Sequence, residues 1–531
     1  MWRRITLPLL AGLGLFLALA TWALSSPVGS APDDTYHLPT IWCSWGEHAT
    51  CGRAASGSFT IPQGIGETCL IQNSARSAAC TYLKTEKLVV APHLSYVESG
   101  LEKASELPSQ LTGNAAYHRV LRILVGEDSE RSALGMRIFN VLLASVLFTW
   151  ALLVSRGGAR RALAISWLVS IVPVGMFILS STNPSGWVIS GVGTYWAFLL
   201  AAIRSRSSTI PYRVSSWAGV VVSALVAVGA RADALVFLSG SSIAVLFVTL
   251  PQIRKGRGMK YVVALLGAAL VVFVAATSLR GRLVQAIGGL GSTEGADSRF
   301  VRDGLNPTIN HIVELPSFLW ALIGGQAPTF ALPTAYLRGL GWLDTGIPSI
   351  TGLATLVSLV AVVVWGMGTY NYRKVVAVGI AFATLCAAIV LPLEGVNFAP
   401  TFNMQPRYML PMLFVVVGLA AIRPLASGRP RLIVAVGIVA LMTVANAAAQ
   451  LASLHRYTNG ESLPWMRLDM EPNWWWLDAP VGPTTVWFAG MVGFAAFAIA
   501  VALIARGGFH RRDRIAVQET FQGVETDNTR V

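Results

Sequence analysis

The sequence is built from long apolar runs that alternate with short basic clusters. Hydrophobic residues make up 54% of the 531 residues and charged residues only 12%. The mean hydropathy of +0.59 is well above that of a typical water-soluble globular chain. A helix needs about 20 mainly apolar residues to cross a bilayer, so the runs predict an all-α polytopic membrane protein with about 12 transmembrane helices.

The distribution of polar residues divides the chain into four parts. Residues 1–25 are predicted to form a first transmembrane helix that acts as a signal anchor, and residues 26–132 an extracytoplasmic cap loop. Residues 133–505 form the multi-span transmembrane domain, followed by a disordered cytoplasmic tail over residues 506–531. A cleaved signal peptide is the alternative for the first run, because small residues follow it.

The charges predict the orientation. Arg and Lys cluster in alternate loops between the predicted spans, and none of those basic loops contains a carboxylate. Basic loops favour the cytoplasmic side, so both termini are expected in the cytoplasm. The net charge of +14 then reflects contact with membrane lipids. This distribution argues against nucleic acid as a partner.

Four of the five cysteines lie in the predicted cap loop, at Cys43, Cys51, Cys69 and Cys80. Four cysteines in an extracytoplasmic segment predict two disulfides, for which three pairings exist. We favour pairing of sequence neighbours, Cys43 with Cys51 and Cys69 with Cys80. A zinc site is the alternative, although the loop lacks the Cys-x-x-Cys spacing that is typical of such sites.

The first candidate site is the segment Pro32-Asp33-Asp34-Thr35-Tyr36-His37, directly after the first span. Adjacent carboxylates repel each other, which favours a raised pKa or a bound divalent cation such as Mg²⁺ or Mn²⁺. Asp33 and Asp34 are therefore predicted as catalytic residues, with Asp34 also as a metal ligand, and Tyr36 and His37 as substrate-binding residues. The alternative is a solvated turn, because Asp favours turns and helix caps.

Two further clusters lie at predicted external ends of spans. Arg231 and Asp233 form a pair of ionisable groups near membrane depth, where such groups are costly and are often functional. Arg407 and Tyr408 open a later span, and Arg can bind phosphate. All four are predicted as substrate-binding residues. The alternatives are an interfacial salt bridge for the first pair and a headgroup contact for Arg407.

Five short motifs follow one another between the first span and about residue 422. They are Pro32-Asp33-Asp34-Thr35-Tyr36-His37, Pro92-His93-Leu94-Ser95-Tyr96, Arg137-Ile138-Phe139-Asn140, Gly341-Trp342-Leu343-Asp344-Thr345 and Gln405-Pro406-Arg407-Tyr408. This order resembles an uncharacterised bacterial family of predicted polytopic membrane proteins that is grouped with the GT-C glycosyltransferase superfamily.

The resemblance implies a GT-C-like fold and a membrane glycosyltransferase. Such an enzyme would transfer a sugar from a polyprenyl-phosphate donor to a cell-envelope glycan or protein acceptor on the external face. In that superfamily an acidic residue of the first external loop acts as base or metal ligand, which implies Asp33 or Asp34 here. The chain has Asp-Asp-Thr-Tyr-His where the common pattern is Asp-Glu before a downstream His, so which carboxylate acts stays open. The phosphate-binding role of Arg231 or Arg407 is our own assignment.

Two other functions fit the same sequence. A lipid-linked glycan flippase or transporter would also have many spans, but it should line a path with polar groups at mid-membrane depth. A non-catalytic envelope-assembly scaffold would use the disulfide-bonded cap as a docking surface. In a scaffold the carboxylates would be dispensable and the cap would not.

Overall fold

The protein is a bundle of long apolar helices that pack side by side. The computed structural model describes residues 2–53, 59–62, 65, 88–90, 116–205, 209–254, 307–324, 327–328, 336–337, 340, 345–369, 371–393, 406–423, 430–460, 468–469, 474, 476 and 481–507. Within these ranges seven helices are long and apolar enough to cross a membrane, or eight if one bent pair is a single span. The polytopic helical architecture is confirmed, whereas the number of about 12 spans and the GT-C-like fold stay predictions.

The helices follow one another with short connections in most of the described chain. In order they are α1 (Trp2–Leu24), α2 (Asp34–Cys43), α3 (Ala116–Leu121), α4 (Ser129–Val154), α5 (Gly157–Ser170), α6 (Val172–Leu179), α7 (Ser185–Arg204), α8 (Ile210–Ala230), α9 (Ala234–Arg254), α10 (Pro307–Leu322), α11 (Ser349–Met367), α12 (Tyr372–Leu393), α13 (Leu410–Ala421), α14 (Leu432–Thr458) and α15 (Pro483–Arg506). Short 3₁₀ helices cover Arg122–Leu124 and Pro406–Met409.

The described strands are short and lie outside the long helices. They are β1 (Gly52–Arg53), β2 (Phe59–Pro62), β3 (Leu88–Val90), β4 (Ala327–Pro328) and β5 (Tyr336–Leu337). The first three form an antiparallel sheet in chain order, with Arg53 opposite Phe59 and Thr60 opposite Val90. This sheet belongs to the predicted cap.

The apolar run over residues 162–180, whose length predicts one span, is broken within its length. It forms two helices, α5 and α6, that meet at Ile171 with a bend of 91°. Pro173 lies in the first turn of α6. Proline has no backbone N–H and its ring crowds the preceding turn, so the helical hydrogen-bond ladder is interrupted here.

Helix α1 packs closely against α15. A Cβ added at Gly14 would lie 2.6 Å from the backbone nitrogen of Phe497, and one at Gly493 would lie 2.9 Å from that of Ala18. Glycine at these positions lets the two backbones approach, which is a common way for membrane helices to gain packing energy. The first apolar run is therefore an integral helix of the bundle.

The two ends of the bundle differ in charge. At one end, basic side chains donate to carbonyls where helices end. Lys374 Nζ lies 2.6 Å from the oxygen of Gly366 and 2.7 Å from that of Ile422, and Arg506 Nη1 lies 3.0 Å from that of Pro430. The opposite end, where α1 ends, carries the turn that contains Asp33 and Asp34. Since cations favour helix C-termini, the basic end is locally stabilised.

The predicted first disulfide is confirmed. Cys43 and Cys51 are bonded, with 5.7 Å between their Cα atoms. The bond joins the last residue of α2 to the start of the sheet. Cys69 and Cys80 lie outside the described residues, so their pairing stays a prediction.

Candidate functional site

The turn between α1 and α2 is buried inside the bundle. Residues 25–32 are all buried. Gln450 Nε2 of α14 donates to Ser25 Oγ at 3.0 Å, and Trp476 Nε1 donates to the carbonyl of Leu24 at 2.9 Å. Residues 25–32 are therefore shielded from solvent, whereas Asp33, which directly precedes α2, is partly exposed.

Arg137 of α4 holds the end of α1. Its Nη1 donates to the carbonyl of Ala23 at 3.0 Å and to that of Ser26 at 2.6 Å, and its Nη2 donates to that of Pro27 at 2.6 Å. The side chain is 1% exposed. The last carbonyls of a helix have no partner within it, and this guanidinium supplies one.

Asp34 begins α2 and is fully buried. Its Oδ2 accepts from the backbone N–H of Ala31 at 3.0 Å, and its Oδ1 accepts from Thr182 Oγ1 at 2.5 Å. Burial raises the pKa of Asp34 to about 6, although the nearby Arg137 charge and the Thr182 hydrogen bond act in the opposite direction. Both carboxylate oxygens therefore have structural partners.

Asp33 differs from Asp34 in exposure and backbone. Its side chain is 35% exposed, and its backbone is left-handed with φ of 63°. Asp is one of the few residues that adopts this conformation routinely, at a cost of roughly 1 kcal/mol. Its Oδ2 accepts from Arg407 Nη2 at 2.6 Å. No hydrogen bond to its Oδ1 comes from the described part of the chain.

Tyr408 connects two arginines. The guanidinium carbon of Arg231 lies 4.3 Å from the ring centroid of Tyr408, and that of Arg407 lies 5.0 Å from it. Arg231 donates from Nε and Nη2 to the carboxylate of Asp233 at 3.0 and 2.6 Å, and from Nη1 to Ser185 Oγ at 3.1 Å. Every nitrogen of Arg231 therefore has a partner.

Arg407 is only partly satisfied. Its side chain is 4% exposed. Nη2 bonds Asp33 and lies 3.3 Å from the hydroxyl of Tyr408, whereas Nε and Nη1 are buried without a hydrogen-bond partner among the described residues. A buried charged donor without a partner costs free energy, so these two nitrogens are suited to binding an anion.

His37 contacts a residue that the sequence did not single out as functional. Its Nδ1 lies 3.3 Å from Nε2 of His118 on α3, and both rings are buried. Burial lowers the pKa of His37 to about 3, with the Arg407 and Arg231 charges acting in the same direction. Burial likewise lowers the pKa of His118. The two imidazoles are therefore neutral at physiological pH.

The spacing of the apolar residues from Tyr117 to Leu124 predicts an amphipathic helix with His118 off its apolar stripe, but α3 carries His118 into the interior. Between α6 and α7, the Asn-Pro and Ser-Gly pairs predict an ordinary turn, but this segment also contacts the chain around Asp34. Asn183 Nδ2 donates to the carbonyl of Pro32 at 2.8 Å, next to the bond from Thr182 to Asp34. These contacts join distant segments, and no local sequence pattern reveals them.

The described residues do not form a cation site at the acidic turn. Within them, no group of three or more His, Cys, Asp and Glu is close enough to hold a metal ion. Both oxygens of Asp34 accept hydrogen bonds, and Asp33 is paired with Arg407. These carboxylates do not fit Mg²⁺ or Mn²⁺ as they stand, and the cation stays a prediction.

The structure places most of the predicted site residues at one end of the bundle. An ion pair connects Asp33 with Arg407, and ring contacts connect Arg407 and Arg231 through Tyr408. Tyr36 packs edge-on against His37 with 5.4 Å between ring centroids. The residues of this acidic-turn cluster are Asp33, Asp34, Tyr36, His37, His118, Arg231, Asp233, Arg407 and Tyr408. Their chemical roles stay predictions.

Comparison with protein families gives a match over most of the chain. The model of a family described as "Predicted membrane protein (DUF2142)" matches residues 16–416, well over half of the chain. The matched range includes every residue of the acidic-turn cluster. No curated protein and no solved structure matches the chain.

Proposed function

We propose that this chain, which belongs to the DUF2142 family of predicted membrane proteins, works at the membrane as a glycosyltransferase of the GT-C type. It would transfer a sugar from a polyprenyl-phosphate donor to a cell-envelope glycan or protein acceptor. The observation that carries this proposal is the pairing of a partly exposed carboxylate, Asp33, with a buried arginine, Arg407, that has two unused donors. Sugar transfer from a lipid phosphate needs both a base and a group that binds the leaving phosphate.

The charges at the two ends of the bundle support one orientation in the membrane. The end with Lys374 and Arg506 would face the cytoplasm under the positive-inside rule. The acidic-turn cluster would then lie at the outer face of a bacterial cytoplasmic membrane, near lipid-linked donors. The disulfide between Cys43 and Cys51 supports this orientation, since disulfides persist outside the cytoplasm.

Asp33 is the better candidate for the base. Its Oδ1 accepts no hydrogen bond from the described chain and the residue is partly exposed, whereas both oxygens of Asp34 are occupied and buried. Asp34 is instead a positioning residue, because it fixes the turn that presents Asp33. The pair that the sequence left equivalent thus divides into two roles.

The proposed step transfers one proton and one glycosyl group. Asp33 accepts the proton of the acceptor hydroxyl, and the acceptor oxygen forms a bond to the anomeric carbon. The bond between that carbon and the phosphate oxygen breaks, and its electron pair stays on the phosphate. Arg407 binds the phosphate as the negative charge on the phosphate increases, and Arg231, which also contacts the Tyr408 ring, adds positive potential.

The test is transfer by the purified full-length chain in lipid nanodiscs. Labelled polyprenyl-phosphate sugars are supplied with cell-envelope membranes, and covalent incorporation of label is measured. We expect Asp33→Asn to reduce transfer by at least 100-fold. Asp128→Asn is the matched control, because Asp128 is an exposed carboxylate that caps α4 and contacts no residue of the cluster.

Other results would assign one of the alternative functions. Unchanged transfer in both Asp33→Asn and Asp34→Asn would contradict this site. Movement of intact labelled lipid across the membrane without incorporation would indicate a flippase. Loss of envelope assembly on deletion within the cap, with Asp33→Asn fully active, would indicate a scaffold.

A further inference from the structure

The Arg407 guanidinium binds a carboxylate of the chain through one nitrogen and has other nitrogens that could bind a further acceptor. Its Nη2 is held by Asp33 at 2.6 Å, while Nε and Nη1 are buried and unpartnered among the described residues. An anion that used these donors would lie close to the Asp33 carboxylate and would be repelled by it. The two negative groups would compete for one guanidinium.

We propose that Asp33 is an internal counter-anion that competes with the phosphate of a lipid for Arg407. A proton on Asp33 removes its negative charge and releases Arg407 to the phosphate. The inference builds on the phosphate-binding role proposed above for Arg407, but it does not require sugar transfer. The ligand class is a phosphate monoester with an alkyl or polyprenyl chain.

The hydrogen bonds of the two arginines favour Arg407, rather than Arg231, as the cation for which Asp33 and the phosphate compete. Arg231 is held by both oxygens of Asp233 and by Ser185, so it has no unused nitrogen. The pair of Asp33 and Arg407 is held through a single guanidinium nitrogen, and Asp33 is 35% exposed. A single contact to a carboxylate that is 35% exposed is easier to exchange than a bidentate contact that uses both oxygens of Asp233.

The acidic-turn cluster lies where the phosphate of a membrane lipid would reach it. Arg407 precedes α13, an apolar helix of the bundle, and Asp33 follows the end of α1. A lipid phosphate at the bilayer surface would be at the depth of these helix ends, with its chain along the apolar helices. Free inorganic phosphate offers the same oxygen atoms without the chain.

The coupling also has a chemical consequence. When Asp33 takes the proton of an acceptor hydroxyl, its ion pair with Arg407 is weakened as the leaving phosphate gains a negative charge. The positive charge of Arg407 then becomes available to the phosphate in the same step. Proton transfer and phosphate stabilisation are thereby linked through one side chain.

The experiment measures binding of dodecyl phosphate to the purified full-length chain in nanodiscs, without any sugar donor. Wild type is compared with Asp33→Asn, and with Asp33→Gly as a second variant, because Asn and Gly both adopt the left-handed backbone. We expect each to bind dodecyl phosphate about tenfold more tightly than wild type. Asp128→Asn should bind like wild type.

Two further measurements complete the test. The gain in affinity for dodecyl phosphate should vanish in the double variant that combines Asp33→Asn with Arg407→Gln. A parallel series with inorganic phosphate separates the sources: a gain confined to dodecyl phosphate identifies a lipid head group, and an equal gain identifies free phosphate. The proposal is overturned if neither Asp33 variant binds more tightly while melting like wild type, or if the gain survives in the double variant. Tighter binding in Asp33→Asn without sugar transfer by wild type would reject the glycosyltransferase function and leave this inference standing.

Discussion

Asp33 and Arg407 are 374 residues apart in the chain, and their side chains form an ion pair of 2.6 Å. The pair connects the turn after α1 to the start of α13. It is the contact through which the N-terminal and later parts of the bundle share a site. We expect a measurable coupling between the two residues.

The first prediction concerns that coupling. Asp33→Asn, Arg407→Gln and the double variant should show an interaction free energy of about 1 kcal/mol in unfolding, because one carboxylate is partly exposed. The measurement is a double-mutant cycle of denaturation in mixed micelles. Strict additivity of the two single variants would show that the pair contributes nothing to stability.

The second prediction concerns Arg137. Arg137→Leu removes a guanidinium that bonds three carbonyls at the end of α1 and leaves those groups without a donor. Loss of such a buried charged group should cost about 3 kcal/mol of unfolding free energy. The matched control is Arg131→Leu on the same helix, where the side chain is 77% exposed. Equal melting temperatures for the two variants would contradict this assignment.

Much of this architecture could be predicted from the sequence. The apolar runs over residues 186–203, 350–370 and 485–505 predict the ends of α7, α11 and α15 to within a few residues, because helix length in a membrane is set by the bilayer. The bond between Cys43 and Cys51 was predicted from proximity in sequence. Asp33 and Arg407 were singled out separately, from chemistry at span ends.

The contacts within the site could not be predicted in the same way. The burial of Asp34 depends on Thr182, which lies 148 residues away. Apolar spacing places His118 off the apolar stripe of its helix, whereas it is 3% exposed and contacts His37. Helical periodicity gives the face of one helix, but which face is buried depends on the neighbouring segments. Such tertiary neighbours leave no local signature in the sequence.

The third prediction concerns the disulfide. Cys43→Ser combined with Cys51→Ser opens a short loop with a sequence separation of 8. The chain-entropy cost of closing such a loop predicts a loss of about 2.5 kcal/mol in the stability of the cap. Hydrogen exchange should therefore become faster in residues 44–53 and at the C-terminal end of α2. Unchanged protection there would show that packing alone holds this segment.

The fourth prediction concerns Asp34. Its pKa is raised from 3.8 to about 6, so between these values the native state binds more protons than the unfolded state. The contribution of Asp34 to stability therefore falls as the pH rises from 4 to 6. Asp34→Asn keeps an acceptor for the Ala31 N–H and a donor for the Thr182 hydroxyl. It removes the titrating carboxyl and therefore the loss of stability between pH 4 and 6. We expect its melting temperature, relative to wild type, to increase by about 2 °C over that range.

Asp33→Asn is the matched comparison for that experiment, since it changes the neighbouring and partly exposed carboxylate. If the melting temperatures of Asp34→Asn and wild type differ by the same amount throughout pH 4 to 6, the raised pKa of Asp34 is contradicted. In transfer assays Asp34→Asn should keep more activity than Asp33→Asn, because its role is to position the turn.

The last prediction concerns the buried histidines. Burial lowers the pKa of both His37 and His118 below the ordinary value of 6.5, so the unfolded chain binds protons there before the native state does. Their contribution to stability is therefore complete above pH 6.5 and is lost as the pH falls toward 3. His118→Gln removes one of these groups, and the variant should gain stability relative to wild type as the pH is lowered from 7 to 5. Melting temperatures at intervals of half a pH unit measure this, with Arg119→Gln on the exposed side of α3 as control. A pH-independent difference between His118→Gln and wild type would mean that His118 takes up protons equally in the native and unfolded states.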